Sequence, residues 1–232
     1  MSTEASSVSG AVTPDTITLR DAILGRRSVR GYLSTRVPQE TLDAIFALAQ
    51  HAPSNCNIQP WKVFVASGEV KDKLRAAMVE RVTGGVPFNS DYEYPETFAG
   101  DYRRRQVDCA MALYDQMGIA RTDKAGRMHA VVRNYEMFDA PHVCFIGMDK
   151  IFGASVAIDV GMYMQNLMLA MTAHGVACCP QGTMRYYPDL VREAFGIGDD
   201  TNILLGISFG YEDTSVPANR TRIGRDPIDA SV

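Results

Sequence analysis

A short basic segment is the part of this sequence best suited to chemistry. Residues 26–30 read Arg-Arg-Ser-Val-Arg and follow a glycine that can end a preceding short helix. If the backbone is extended here, alternate side chains share a face, so Arg26, Ser28 and Arg30 point one way and Val29 the other. Arg26 and Arg30 would then stand about 13 Å apart, which suits the two ends of one elongated anion. The alternative is that the first two arginines merely complement the negative end of the preceding helix.

Composition narrows the class of protein. The chain has 232 residues, of which 46% are apolar and 22% charged, as in one compact soluble domain. Its net charge of -4 argues against nucleic acid as a partner. The longest apolar run, residues 154–173, is interrupted by polar residues, so no membrane partner is expected. Five cysteines without a CxxC pair favour reduced thiols and a cytoplasmic location. We expect residues 1–16, which match neither a secretory signal nor a transit peptide, to be a disordered tail.

Hydrophobic periodicity predicts both helices and strands within a single domain over residues 17–232. The adjacent Cys178 and Cys179 are expected in a buried strand. No internal repeat or domain boundary is visible. The pattern predicts helices over residues 18–25, 38–49, 69–82, 101–117, 126–139, 155–174 and 188–195, and strands over residues 61–66, 141–148, 176–181 and 203–211.

One long connection stands apart from these elements. Residues 83–105 begin with a stretch rich in glycine, proline and aromatic residues, which is long for a structureless loop inside a compact domain. Such loops often cover binding sites. We therefore predict a lid over residues 87–105, with Phe98, Tyr102, Arg103 and Arg104 as candidate substrate contacts.

Other catalytic patterns are weak. Residues 206–210, Gly-Ile-Ser-Phe-Gly, match the GxSxG elbow of serine hydrolases. That elbow needs a helix after the serine and a histidine further on, whereas the last histidine, His174, lies upstream. The four histidines lack metal-ligand spacing, so no metal is expected. A Rossmann fingerprint and a phosphate-loop lysine motif are both missing from the sequence.

Several blocks in a fixed order resemble the nitroreductase family of FMN-dependent oxidoreductases. The first block runs from Arg26 to Tyr32, and the second, residues 52–61, reads Ala-Pro-Ser-Asn-Cys-Asn-Ile-Gln-Pro-Trp. Asp159 and the Gln-Asn-Leu of residues 165–167 follow on the long predicted helix. Gly175, Pro180-Gln181-Gly182 and Arg220-Thr221-Arg222 complete the order. Each block alone is weak, but their ordered conjunction over residues 17–225 is specific.

The resemblance implies an α+β, nitroreductase-like fold, with a central mixed or antiparallel sheet flanked by helices. It also implies a homodimer with the long helix in its interface, exchanged C-terminal arms and two FMN sites built by both chains. In those sites the FMN phosphate would meet Arg26, Ser28, Arg220 and Arg222, and Arg30 would lie beside the flavin N1 and O2 edge. Gln181 stands where other members carry an acid, which leaves the tuning of N5 open. The residues implied in cofactor binding are Arg26, Arg27, Ser28, Arg30, Pro53, Ser54, Asn55, Asn57, Pro180, Gln181, Gly182, Arg220 and Arg222.

The implied activity is a ping-pong reductase. NAD(P)H would give hydride to flavin N5 and leave, and a nitroaromatic or quinone-like acceptor would take its place. No acid, base or nucleophile is then required, because the flavin carries the chemistry. Enone reduction, reductive dehalogenation and flavin reduction remain open on the same fold, as does the choice between NADH and NADPH. Flavin binding without turnover is a further alternative.

Overall fold

A computed structural model describes residues 17–94 and 97–232. The predicted N-terminal tail, residues 1–16, lies outside the described residues. No helix in the described ranges is long and apolar enough to cross a membrane. The helices are α1 (Leu19–Gly25), α2 (Gln39–Ala49), α3 (Gly68–Thr83), α4 (Gly100–Gln116), α5 (Lys124–Tyr135), α6 (Ala154–Ala173) and α7 (Pro188–Phe195), and the strands are β1 (Lys62–Ser67), β2 (His142–Asp149), β3 (Ala177–Gln181) and β4 (Thr201–Gly210).

The four strands form one antiparallel sheet in the order β1-β2-β4-β3. Strand β2 is buried along almost its whole length, so both of its faces are covered. Cys144 and Ile146 face a core cluster built with α2 and α6, whereas Val143 and Phe145 face a second cluster built with α3 and α7. Helices on both faces of an antiparallel sheet confirm the α+β prediction.

Local signals explain several element boundaries. Thr18 caps α1, since its Oγ1 accepts a hydrogen bond from the Asp21 amide (3.1 Å) and donates one to the Asp21 carboxylate (2.7 Å). Asp123 caps α5 in the same way through the Gly126 amide. Gly196 ends α7 in the left-handed conformation that glycine adopts without a steric penalty. The predicted pair of buried strand cysteines is confirmed, with Cys178 and Cys179 1% and 3% exposed.

The predicted helix over residues 126–139 is wrong at its end. Helix α5 stops at Tyr135, and Met137, Phe138 and Asp139 follow with φ of 55°, 52° and 63°. Three successive non-glycine residues in the left-handed region are strained and need support from their surroundings. Ion pairs from Arg75 and Arg133 to the Asp139 carboxylate supply that support.

The segment predicted as a lid runs into the helix predicted over residues 101–117. Residues 100–105 are the first turns of α4, which begins at Gly100. The irregular segment before it is anchored to the core. The Asp91 carboxylate accepts hydrogen bonds from Arg192 (2.5 Å) and from the Ile203 amide (2.7 Å), and Phe88 stacks on Tyr186.

Candidate functional site

The basic segment docks against the free edge of β3. Ser28 forms a parallel bridge with Cys178, and the Val29 amide donates a hydrogen bond to the Cys178 carbonyl (3.1 Å). Val29 is 1% exposed and packs inward, as the period-two pattern predicts. Arg26, Ser28 and Arg30 line a cavity on the other side.

This cationic cavity has a volume of about 910 Å³. Arg222 and Arg225 reach it from the C-terminal segment, so residues at both ends of the chain converge on it. Ile23 and Leu24 of α1 add an apolar wall. Arginines beside a hydroxyl are the groups that bind phosphate through charge-assisted hydrogen bonds. The cavity therefore suits an anionic group attached to a larger, partly apolar molecule.

Three buried hydroxyl groups lack a partner among the described residues, those of Tyr92, Thr183 and Thr221, and the two threonines belong to segments implied in cofactor binding. Thr221 Oγ1 belongs to a residue that lines the cationic cavity, and Thr183 Oγ1 belongs to the residue after Gly182. A buried hydroxyl without a hydrogen bond costs about 1–3 kcal/mol. A ligand with acceptors at both ends would relieve this cost, which fits FMN. Thr221 was missed as a candidate from sequence because only its two arginine neighbours stood out.

Two of the predicted cofactor-binding residues are placed differently. The Arg27 guanidinium donates two hydrogen bonds to the Glu212 carboxylate at the rim of the cavity, so its charge is already balanced. Arg220 is exposed at the end of a 3-10 turn and does not line the cavity. Arg26, Arg30 and Arg222 are thus the predicted arginines that line the cavity without an acidic partner among the described residues.

Asn219 joins the basic segment to the C-terminal segment, the two segments that line the cavity from opposite ends of the chain. Its side chain is buried, and its Oδ1 accepts a hydrogen bond from the Arg30 amide (2.6 Å). Its Nδ2 donates to the carbonyls of Gly31 (2.9 Å) and Asp213 (2.8 Å). The segment that carries Arg30 is therefore fixed to the segment that carries Arg222. No local sequence signal marks this residue, because its partner Gly31 is 188 positions away.

The end of β3 provides the second part of the site. Because the basic segment runs parallel to β3 at Cys178, Arg30 lies toward the end of β3 that carries Pro180 and Gly182. Gly182 is four positions after Cys178, about 13 Å along an extended backbone. One elongated ligand could therefore reach from the cavity to the exposed backbone of Gly182.

The Gln181 side chain is engaged inside the protein. It is 2% exposed, its Oε1 accepts a hydrogen bond from Ser208 (2.5 Å), and its Nε2 donates to the Asn134 carbonyl (2.7 Å). Only backbone atoms at this position can meet a ligand. Both halves of the amide are used in neutral hydrogen bonds.

The same contacts exclude the hydrolase interpretation of residues 206–210. Ser208 is fully buried in the middle of β4, and no helix follows it. The flanking glycines serve packing: a Cβ at Gly206 would lie 2.6 Å from Met184 Sδ, and one at Gly210 would lie 2.6 Å from Pro141. This serine cannot act as an exposed nucleophile.

The loop of residues 53–60, implied to contact the flavin and called the flavin loop, does not line the cationic cavity of its own chain. Its Asn55–Asn57 turn is exposed and is joined to α6 by a hydrogen bond from the Asn55 amide to the Asp159 carboxylate (3.0 Å). Ser54 Oγ accepts from the Gln59 amide (3.0 Å), and Pro53 is exposed at the start. Cys56, Asn57 and Gln59 all have positive φ. Such strain is common in loops that present backbone groups to a ligand.

A smaller apolar slot adjoins the cationic cavity, with Arg30 in the wall of both. It has a volume of about 350 Å³ and lies between α4, α5 and the 3-10 turn Pro217–Arg220. Phe138, from the left-handed turn after α5, also lines this slot. His129 and Arg133 are its polar neighbours. One aromatic ring fits such a volume.

The candidate lid residues fall in two places. Phe98 is half-buried and lies edge-on to Tyr94, with ring centroids 5.9 Å apart. Tyr102, Arg103 and Arg104 lie on the first turns of α4 and are exposed. Arg104 pairs with Asp101, Asp108 and Asp226. None of these residues lines the cationic cavity or the apolar slot.

Comparison with known proteins agrees with this geometry. The family model described as Nitroreductase family matches residues 23–211. The chain is 41% identical over 208 residues to Nitroreductase NfnB of Mycolicibacterium smegmatis, covering 88% of this chain and 86% of that protein. It is 32% identical over 211 residues to Chloronitrobenzene nitroreductase of Comamonas testosteroni, covering 90% and 93%.

One solved structure resembles this chain over most of its length. The crystal structure of the FMN-dependent nitroreductase NfnB from Mycobacterium smegmatis in complex with NADPH superimposes with a TM-score of 0.88 at 39% identity, and the match covers 92% of this chain and 96% of that one. The residues matched by the family model include the basic segment, residues 52–61, α6 and β3. The ordered motifs, the cavity they build and these comparisons lead to one conclusion, that the chain belongs to the nitroreductase family.

Proposed function

We propose that this protein is an FMN-dependent NAD(P)H oxidoreductase that reduces nitroaromatic or quinone-like acceptors. The observation that carries the proposal is the cationic cavity, where Arg26, Ser28 and Arg222 converge beside an unpartnered Thr221 hydroxyl. The names of its relatives support the acceptor class, since one of them reduces chloronitrobenzene. NADPH is bound in the similar crystal structure.

Each part of the cofactor has residues suited to it. Arg26, Ser28, Thr221 and Arg222 would hold the phosphate at the wide end of the cavity. Arg30 would lie beside the N1 and O2 edge of the ring, where a cation stabilises the negative charge gained on reduction. The exposed backbone at Gly182 would meet the N5 and O4 edge. When bound, FMN takes a hydride from NAD(P)H and passes the electrons to the acceptor.

The protein contributes binding, orientation and electrostatics. The apolar slot beside Arg30 would hold the flat ring of the donor or the acceptor in turn, which is how one site can serve a ping-pong reaction. Burial raises the pKa of Cys178 behind the basic segment to about 12, so this thiol stays neutral and takes no part. The irregular segment that carries Phe98 remains the proposed lid. Residues 17–232 are proposed to form a single domain.

The site is completed by a second copy of the chain. The flavin loop does not reach the cationic cavity of its own chain, and α6 leaves one face uncovered. Ile158 on that face is 65% exposed, and nothing lies within 4 Å of a Cβ built on Gly161. A glycine on an apolar helix face permits close approach of another helix. We propose a homodimer through α6, in which Ser54, Asn55 and Asn57 meet the cofactor of the partner.

The exchange of C-terminal arms remains part of this proposal. Asp226 contacts Arg105 of its own chain at 2.5 Å, and the residues after it are exposed. A cytoplasmic location is proposed because all five cysteines are free thiols.

The dimer is tested by Ile158→Glu, which places two charges against each other at the interface. Light scattering should give a monomer with weakened FMN binding. Val70→Glu on α3, where the side chain is 44% exposed on the opposite side of the sheet, is the matched control and should stay dimeric. A dimeric Ile158→Glu variant with normal FMN content would contradict the proposed interface.

A further inference from the structure

A cleft on the outer side of α4 has no part in the site described so far. This arginine cleft has a volume of about 680 Å³ and lies between α4 and the turn that leads into α5. Arg103, Arg121 and Arg127 line it, against one acid, Asp115. The cleft therefore carries an excess of positive charge.

None of the three arginines is paired with a carboxylate within the described ranges. Arg103 donates only to Gln106 (2.6 Å), and Arg127 Nε has no acceptor. The neighbouring Arg104 and Arg105, by contrast, are tied to acidic side chains. An arginine held by no acid is available to bind an anion, and its planar guanidinium matches a phosphate group.

Aromatic and apolar side chains also line the cleft. The guanidinium of Arg127 lies 5.5 Å from the ring centroid of Tyr114, and Met111 is 64% exposed beside it. Val107 and Ala110 complete this surface. Aromatic rings and guanidinium planes are surfaces on which a purine stacks. The combination fits a purine nucleoside that carries a phosphate.

The cleft adjoins the site, because Ile119 lines both the arginine cleft and the apolar slot beside Arg30. We propose that the arginine cleft binds the adenosine 2'-phosphate end of NADPH and makes this enzyme prefer NADPH over NADH. The inference rests on the proposed function. The 2'-phosphate is the only difference between the two donors, so a cleft with three uncompensated arginines discriminates through that group.

Other exposed arginines explain such a preference less well. Arg36 and Arg220 line none of the three cavities, and Arg222 and Arg225 belong to the proposed FMN phosphate site. The arginine cleft is thus the cationic surface that remains for a second phosphate.

The kinetic test uses Arg103→Gln and Arg121→Gln in the FMN-loaded protein. Each should raise KM for NADPH about tenfold, the effect of losing one charge-assisted hydrogen bond, while kcat and the KM for NADH stay within about twofold. Arg127→Lys, which keeps the charge but not the planar donors, should have an intermediate effect. Lys124→Gln is the matched control, since it removes a nearby positive charge outside the cleft lining and should change neither KM.

A binding measurement provides a second readout. Calorimetric titration of the unmodified protein with adenosine 2',5'-bisphosphate should show binding at least about tenfold tighter than with 5'-AMP, and Arg121→Gln should abolish that difference. Equal loss for NADH and NADPH, or equal affinity for the two nucleotides, would overturn the proposal. If inorganic phosphate binds the cleft as tightly as adenosine 2',5'-bisphosphate does, the cleft is a simple anion site, and the proposal is likewise overturned. A protein that binds no FMN or oxidises neither donor would refute the proposed function, a separate outcome.

Discussion

Replacement of Asn219 by alanine tests how the cofactor cavity is held together. The side chain is 4% exposed and makes three hydrogen bonds, to the Arg30 amide and to the carbonyls of Gly31 and Asp213. Each such bond contributes about 1 kcal/mol net, so Asn219→Ala should lower the free energy of unfolding by about 3 kcal/mol. Because a domain of this kind is stable by about 5–15 kcal/mol, the variant should still fold.

The same change should weaken the cofactor site specifically. Without the Asn219 side chain the segments that carry Arg30 and Arg222 are held less firmly, through backbone contacts such as the hydrogen bond from the Asp213 amide to the Gly31 carbonyl (3.1 Å), and binding FMN must then order them further. We expect the Kd for FMN to rise at least about tenfold, equivalent to about 1.4 kcal/mol. Asn219→Asp should behave similarly, because a carboxylate can accept from the Arg30 amide but cannot donate to the two carbonyls.

A matched control separates this effect from loss of stability alone. Leu74→Ala in α3 removes a buried side chain from the cluster on the other face of the sheet and should cost about 2–5 kcal/mol. Urea unfolding of the cofactor-free proteins gives the stabilities, and quenching of flavin fluorescence gives Kd. If Leu74→Ala and Asn219→Ala weaken FMN binding equally, or if Asn219→Ala leaves Kd unchanged, the positioning role is refuted.

Two further predictions concern charge. Arg26→Ala should chiefly weaken FMN binding, by about tenfold or more, whereas Arg30→Ala should chiefly lower the reduction potential of the bound cofactor. Equal effects on affinity and on potential in both variants would contradict a site with Arg26 at the phosphate and Arg30 at the flavin ring. Burial, with Arg36 and Lys71 nearby, lowers the pKa of His142, whose Nε2 accepts from the Val37 amide (3.0 Å). The unfolded chain therefore takes up a proton first, so the stability contributed by neutral His142 is complete above about pH 6.5 and is lost as pH falls below it. Urea unfolding at a series of pH values should show this slope, and His142→Gln, which still accepts the Val37 bond but does not titrate, should flatten it; an unchanged slope would assign the effect to other groups.

The sequence predicted what short-range patterns encode. Alternation placed Val29 inside and Arg26, Ser28 and Arg30 on one side, because a strand has no other way to arrange consecutive side chains. Most helices and strands began and ended within a few residues of the prediction, since caps such as Thr18 and stops such as Gly196 act locally.

Long-range contacts explain what was missed. The left-handed turn after α5 contains no glycine, and it is held by Arg75 from α3 and by the Lys71 ammonium group, which donates to the Ala140 carbonyl (3.1 Å). Asn219 and Thr221 became visible as site residues only when the C-terminal segment was placed beside the basic segment. Arg27, counted among the cofactor ligands, is taken by Glu212, 185 residues away. Such pairings depend on the folded chain and leave no periodic signal.

The most direct test of the account is the visible spectrum of the purified protein during anaerobic titration with NADPH. We predict a yellow protein that holds one FMN per chain, loses its flavin absorbance on addition of NADPH, and regains it when a nitroaromatic acceptor is added. A colourless protein that also fails to bind added FMN would contradict the central claim.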